Sequence, residues 1–102
     1  MNIAIQNEAG KIVINVEGAI DEKGAEELKS TFGQLQTAPT PFVVLNLSRV
    51  DHIGSSGIGK ILLFYKNLAI KNSRLEVTGL SPMLFELFRE LKLDSLFSLA
   101  KR

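Results

Sequence analysis

The chain has 102 residues, with 12 lysines and arginines against 11 acidic residues, for a formal net charge of +1. This length suits one domain with one modest core, and the near-neutral charge gives no general attraction to nucleic acid or to a membrane surface. The sequence contains no cysteine, which excludes disulfides, thiolate zinc sites and cysteine nucleophiles.

No segment of the sequence resembles a membrane span or a targeting signal. The longest apolar run, at residues 61–65, is far shorter than the roughly 20 residues that a membrane-spanning helix needs. Residues 1–6 lack the basic region and long apolar core of a signal peptide. We therefore expect a single soluble domain over residues 1–102, located in the cytoplasm.

The first third of the chain predicts a hairpin followed by a helix. Apolar and polar residues alternate in 2–7 and 11–17, which is the period-two pattern of half-buried strands, and residues 8–10 between them are turn-like. Asp21 is placed to cap the next helix, and residues 38–41, with two prolines, should end it. The apolar face of this helix consists of Ala25, Leu28, Phe32 and Leu35.

The middle of the chain predicts a strand, a helix and a further strand. Residues 42–47 are almost continuously apolar, which is typical of a central strand covered on both faces. The next helix should run from about residue 55 to residue 68 or 71. Residues 74–78 predict a short strand that ends at Gly79.

The last segment predicts one more helix and fixes the expected architecture. Ser81 and Pro82 have the pattern of an N-cap followed by a proline at the first helical position, and residues 93–99 predict a short strand or a helical turn. The order is therefore β-β-α-β-α-β-α. It predicts an α/β domain with a mixed sheet of four to five strands flanked by helices, in which the first hairpin is antiparallel.

Residues 54–60, Gly-Ser-Ser-Gly-Ile-Gly-Lys, are the most informative segment for function. Hydroxyls and glycines at the start of a helix are typical of a phosphate site, whether the phosphate is bound or covalently attached. The spacing of Gly54, Gly59 and Lys60 also resembles a P-loop, so a small nucleotide-binding domain is an alternative. Ile61, however, stands where a P-loop has the serine or threonine that binds magnesium.

Two other interpretations of the serines remain open. Ser55 or Ser56 could be a nucleophile with His52 as its base and Asp51 as the orienting carboxylate, although the loop is short for this and no G-x-S-x-G elbow is present. A structural interpretation makes one serine the helix cap and explains the nearby glycines by close packing, or by close approach of another backbone.

The helix that follows is apolar around most of its circumference at residues 61–65. One face of a sheet cannot bury such a helix completely. Either neighbouring helices cover the remainder, or Leu63 or Phe64 forms part of a surface that binds a partner. We favour the partner surface.

Taken together, these segments resemble STAS domains, and specifically the single-domain anti-sigma factor antagonists of bacteria. The resemblance covers nearly the whole chain. It rests on Gly18-Ala19-Ile20-Asp21, Val43-Val44-Leu45-Asn46-Leu47, Ser55-Ser56-Gly57-Ile58-Gly59 before an apolar helix, and Ser81-Pro82 at the start of the last helix.

The resemblance implies a regulator that is not an enzyme, needs no cofactor and switches between partners. The unphosphorylated antagonist would bind an anti-sigma factor that is also a serine kinase. The kinase would phosphorylate a serine at the start of the second helix, which ends the binding, and a serine phosphatase would reverse the modification. The output would be sigma-factor-dependent transcription or another pathway, such as control of biofilm or polysaccharide production.

The resemblance also implies site residues. The family's aspartate, serine, serine or threonine, glycine motif aligns with residues 54–57, so that Ser55 is the aligned phosphoacceptor and Ser56 its alternative. Gly54 stands where the family usually has aspartate, which leaves open both the choice of serine and a scaffold that is never phosphorylated. The implied partner-binding residues are Asp21, Gly54, Gly57, Ile58, Lys60 and Leu63.

Overall fold

A mixed sheet organises the fold. The structure is a computed structural model that describes residues 1–35 and 42–102. Within this part of the chain, five strands form one sheet in the order β1-β2-β3-β4-β5. The elements are β1 (Asn2–Glu8), β2 (Lys11–Glu17), α1 (Glu22–Leu35), β3 (Phe42–Arg49), α2 (Ser55–Ile70), β4 (Arg74–Leu80), α3 (Pro82–Glu90), a short 3₁₀ helix (Leu93–Ser95) and β5 (Ser98–Lys101).

The predicted architecture is confirmed. β1 and β2 form an antiparallel hairpin, and β2, β3, β4 and β5 are parallel to one another. Both alternatives for residues 93–99 occur in succession, because the 3₁₀ helix precedes β5. The predicted helix end at residues 38–41 lies outside the described residues.

Two predicted helix caps are present. The Asp21 carboxylate accepts a hydrogen bond from the Gly24 N–H at 2.8 Å, and the Ser81 hydroxyl accepts one from the Leu84 N–H at 3.2 Å. Each side chain satisfies a backbone donor that the first turn of a helix leaves without a partner. Local sequence was sufficient here because donor and acceptor are three residues apart.

The helices cover one face of the sheet. The core cluster joins buried residues of α1, α2 and α3 to alternate residues of the central strands, which are Ile14, Val16, Val43, Leu45, Leu47, Leu75 and Val77. On the opposite face Val44 is buried, Phe42 and Asn46 are half-buried and Ser48 is exposed. The prediction that residues 42–47 would be covered on both faces is therefore confirmed at Val44 but wrong for the rest of this second face, to which no helix contributes core residues in the described part of the chain.

The contact between α1 and α2 settles which residue of the apolar helix is buried. The rings of Phe32 and Phe64 stack with their centroids 4.0 Å apart and their planes nearly parallel. Phe64 is only 1 % exposed, so the interpretation of Phe64 as a partner surface is wrong, whereas Leu63 remains 51 % exposed. A helix can be apolar on most sides here because α1 and the sheet bury different faces of it.

Candidate functional site

Two loops lie side by side at the carboxyl ends of β2 and β3. The Ile20 N–H donates to the His52 carbonyl at 2.9 Å, and the Gly54 N–H donates to the Ile20 carbonyl at 2.9 Å. Ile20 and Ile53 also form an isolated parallel bridge. Because α1 begins just after the first loop and α2 just after the second, the N-termini of both helices lie at this edge of the sheet.

The start of α2 is uncapped. Gly54 occupies the N-cap position and offers no side-chain acceptor. The Ile58 N–H makes the first helical bond, to the Gly54 carbonyl at 3.2 Å, and the three preceding N–H groups find no acceptor among the described residues. The first turn also contains no acidic residue. The positive end of the helix dipole is therefore uncompensated at this site.

The two serines occupy the first two helical positions, and both are exposed. The prediction that one of them caps the helix is wrong. Gly54, whose N–H bonds to the Ile20 carbonyl, is the last residue before the helix, so Ser55 lies one position and Ser56 two positions too late to cap. Their hydroxyls are consequently open to an approaching protein.

Gly57 has a packing role. It is buried, and a Cβ at this position would lie 2.6 Å from Ile20 Cγ2 and 3.0 Å from Ile53 Cγ1. These distances leave no room for a side chain. Of the two explanations for the glycines, close packing holds at Gly57, which is turned into the domain rather than towards a partner. Gly59 differs, since it is exposed and a Cβ there would meet no atom within 4 Å.

The other predicted partner-binding residues fall into two groups. Lys60 and Leu63 lie along one stripe of α2 with Ser56, the alternative phosphoacceptor, because the three are spaced by four and three residues. Lys60 Nζ lies 3.7 Å from Glu26 Oε1 of α1. Ile58 is half-buried and packs against the core.

Asp21 belongs to the neighbouring loop. One carboxylate oxygen caps α1, and the side chain is otherwise exposed. Its chain neighbour Ile20 is bonded to Gly54, the residue before Ser55, so the structure brings Asp21 and the serines to the same corner. Both roles considered for Asp21 are therefore compatible, because the second oxygen remains available to a partner.

The nucleotide-binding alternative does not fit this geometry. A P-loop cradles phosphate with the N–H groups of an irregular glycine-rich loop. Here residues 55–60 are already helical, so their N–H groups from Ile58 onwards are committed to the helix. Lys60, which would have to reach the phosphates, pairs with Glu26.

The hydrolase alternative fails for a similar reason. Within the described part of the chain, the His52 side chain makes no hydrogen bond to Ser55 or Ser56. No hydrogen bond joins Asp51 to the histidine in the described residues, and Asp51 Oδ1 instead accepts one from Arg102 Nη2 at 2.8 Å. The nucleophile, base and orienting group of a triad are not assembled.

Arg102, for which the sequence predicted no role, also contacts this corner. Its Nη2 donates to the Val50 carbonyl at 2.9 Å as well as to Asp51, and its N–H donates to the Leu80 carbonyl at 2.9 Å. Arg102 thus ties β4 to the start of the loop that precedes α2. No local pattern could reveal this contact, since the partners are about 50 residues apart in sequence.

The absent N-cap acceptor leads to a prediction for Gly54. Its φ of −86° and ψ of 172° are open to any residue, and a Cβ would meet only the Ile20 carbonyl oxygen at 3.7 Å. Gly54→Asp should raise the free energy of unfolding by about 0.5–1 kcal/mol, because the carboxylate would cap α2 and face its dipole. Urea unfolding measures the change. Gly54→Ala is the matched control, and equal stability of the two variants would contradict the prediction.

Comparison with known proteins identifies the family. Residues 2–102 match the STAS domain. The chain belongs to the STAS domain family. An anti-sigma-B factor antagonist of Listeria monocytogenes is 32% identical over 91 residues, which is 86% of this chain and 80% of that protein. BtrV of Bordetella bronchiseptica, which is also named as an anti-sigma factor antagonist, is 27% identical over 100 residues, covering 98% of this chain and 86% of BtrV.

The fold of this STAS domain is shared with solved structures. The crystal structure of an anti-sigma factor antagonist from Mycobacterium paratuberculosis matches with a TM-score of 0.88 at 25% identity, over 99% of this chain and 86% of that one. The relatives are named as regulators that act on another protein. In the described residues of this chain, no helix is both long enough and apolar enough to span a membrane.

Proposed function

We propose that this STAS domain is a phosphorylation-controlled partner switch that itself catalyses no reaction. When unphosphorylated, it binds an anti-sigma factor that is also a serine kinase, and phosphorylation at the start of α2 releases it. One observation carries the proposal. Ser55 and Ser56 are exposed at the uncapped end of α2, in the corner that also holds Asp21.

The isolated domain should tolerate a phosphate at this position. A phosphoserine carries about −1.5 to −2 charges at neutral pH. The N-terminus of a helix favours a negative charge by roughly 0.3–1 kcal/mol, and the first turn of α2 has no acidic residue to oppose it. The free N–H groups of residues 55–57 supply further donors. The modification therefore needs no rearrangement of the fold.

A complex should not tolerate the same phosphate. An interface that fits closely over Ser55 and Ser56 removes water from their hydroxyls. A phosphate in that place would be a buried anion, which costs several kcal/mol unless the partner pairs it. The same charge is thus favourable in the free domain and unfavourable in the complex, and this difference makes a switch.

The proposed cycle includes a serine phosphatase that restores binding. It operates in the cytoplasm, and its output is sigma-factor-dependent transcription or another pathway such as biofilm or polysaccharide control. Ser55 is the proposed acceptor because it aligns with the family's phosphorylated serine, and Ser56 is its alternative. The similarity to the Listeria and Bordetella proteins supports the class of partner.

Site mapping tests the proposal directly. The kinase recovered with the unphosphorylated domain is incubated with ATP and with wild type, Ser55→Ala or Ser56→Ala, and the products are mapped by mass spectrometry. We expect one phosphate in wild type and in Ser56→Ala, and none in Ser55→Ala. Ser48→Ala, at an exposed serine on β3, is the matched control and should be modified like wild type. Binding to the kinase without phosphate at residue 55 or 56 would indicate a constitutive scaffold and contradict the switch.

A further inference from the structure

A directed row of amide side chains crosses the sheet face that the helices leave uncovered. The Ser48 N–H donates to Asn46 Oδ1 at 3.1 Å, Asn46 Nδ2 donates to Asn15 Oδ1 at 2.8 Å, and Asn15 Nδ2 donates to Gln6 Oε1 at 3.0 Å. Asn46 and Asn15 each accept a hydrogen bond on one side and donate one on the other. The row reaches the sheet edge at Gln6, whose NH₂ group has no acceptor within the described ranges of the chain.

β1 is also an open edge of the sheet. It pairs with β2 in a continuous register over seven residues, and among the described residues no strand lies on its other side. Residues 2–7 include no charged residue and no proline, which are the features that usually protect an edge from further pairing. The opposite edge is protected, since β5 has four residues, an irregular register and Lys101 near its end.

We propose that β1 pairs antiparallel with β1 of a second copy of this chain, with Ala4 opposite Ala4 across a two-fold axis. The two sheets then join into one continuous sheet. In this register Gln6 of one copy lies opposite Asn2 of the other, and Ile3 lies opposite Ile5.

The amide row favours a second copy as the occupant of this edge. Asn2 Nδ2 is directed to Glu17 Oε1 at 3.4 Å, which leaves Asn2 Oδ1 as an acceptor. Side chains directly opposite each other on antiparallel strands have Cβ atoms about 4.5–5.5 Å apart, so Gln6 can donate to Asn2 of the other copy. The row then ends at Glu17 of that copy. A hydrogen bond from Arg49 lowers the pKa of Glu17 and keeps this last acceptor ionised.

The apolar side of the strand fits the same register. Ile3 and Ile5 lie on the helix-covered face, opposite Val16 and Ile14 of β2. Ile5 is 38 % exposed, and pairing with Ile3 of the second copy would cover it. A slip of two residues would place Gln6 opposite Ala4 and leave the row without its acceptor. The apolar face therefore accommodates this alignment, and the amide row selects it.

Cysteine cross-linking tests this register sharply because the chain has no cysteine of its own. Ala4→Cys places the two thiols opposite each other across the two-fold axis, within reach of a disulfide. We expect mild oxidation to give a covalent dimer, seen on a non-reducing gel. Asn7→Cys is the matched control on the same exposed strand. Its two thiols would lie six residues apart along the pair, about 20 Å, and should give about tenfold less dimer.

Sedimentation equilibrium tests the association without a cross-link. Wild type should show a dimer fraction that rises with concentration, and Ile5→Lys should remain monomeric because it places a charge in the pair. Circular dichroism checks that the variant is folded. The proposal is overturned if wild type is a monomer at every attainable concentration, as it would be if this edge binds an extended segment of another protein. It is also overturned if Ala4→Cys cross-links no more than Asn7→Cys, or if Ile5→Lys dimerises like wild type.

Discussion

Gly57→Ala is expected to lower the free energy of unfolding by about 1–3 kcal/mol, the usual cost of an extra methyl group in a packed core. Helix propensity alone predicts the opposite, because alanine is favoured over glycine by about 1 kcal/mol inside a helix. The clash should prevail, since the new Cβ would lie 2.6 Å from Ile20 Cγ2 and Ile20 is fully buried. Urea unfolding with circular dichroism measures the change.

Gly59→Ala is the matched control for this substitution. It lies on the same helix two residues later, where a Cβ would meet no atom within 4 Å. We expect Gly59→Ala to raise the free energy of unfolding by about 0.5–1 kcal/mol through helix propensity alone. The two substitutions should thus have opposite signs. Stabilisation by both would show that the side chains of Ile20 and Ile53 move aside easily. The start of α2 would then not be packed tightly against the loop that contains Ile20.

The second large effect concerns partner binding. Ser55→Asp should weaken binding to the proposed anti-sigma kinase by about 100-fold or more, because a carboxylate would replace a hydroxyl in the proposed interface. The same change should leave the domain as stable as wild type or slightly more so, since an acidic residue in the first turn of a helix is favourable. Titration calorimetry measures the affinity, and urea unfolding the stability.

The Ser55→Ala variant separates the effect of the added charge from the effect of losing the hydroxyl. Ser55→Ala removes the hydroxyl and adds no charge, and none of the hydrogen bonds that the structure shows among the described residues involves that hydroxyl. It should therefore bind within a few-fold of wild type. If Ser55→Asp binds as well as Ser55→Ala while Ser56→Asp does not, Ser56 is the controlling position. Unimpaired binding by both aspartate variants would exclude charge as the switching signal.

Much of the fold could be predicted from sequence because its determinants are local. The alternation in residues 11–17 specifies β2, and the caps at Asp21 and Ser81 act over three residues. Such patterns follow from the regular repeat of side-chain direction in strands and helices, so a short stretch of sequence is enough to reveal them. The composition of the segments and the order of the predicted strands and helices were also sufficient to predict the mixed sheet.

The errors arose where distant segments meet. One of the two serines was expected to cap α2, but Gly54, whose N–H bonds to the Ile20 carbonyl, occupies the N-cap position. Phe64 is buried because Phe32 of α1 stacks on it. Arg102 contacts Val50 and Asp51, which lie about 50 residues earlier in the chain. None of these contacts can be predicted from the residues that lie next to it in the sequence.

The candidate site could be located but not resolved from sequence. The cluster of glycines and serines at residues 54–59 indicated the corner of the molecule at which we propose the site. The structure then separated its members, with Gly57 packed inward, Gly59 open to solvent, and Ser55 and Ser56 exposed at an uncapped helix end. This separation required the position of Ile20, which lies more than 30 residues earlier in the chain.

The most direct test of the switch is a calorimetric titration of the anti-sigma kinase with one preparation of the domain, before and after phosphorylation. We predict tight binding by the unmodified domain, and an affinity lower by two orders of magnitude or more once a phosphate is present at the start of α2. Equal affinities for the two forms, with the phosphate confirmed by mass, would contradict the proposed function.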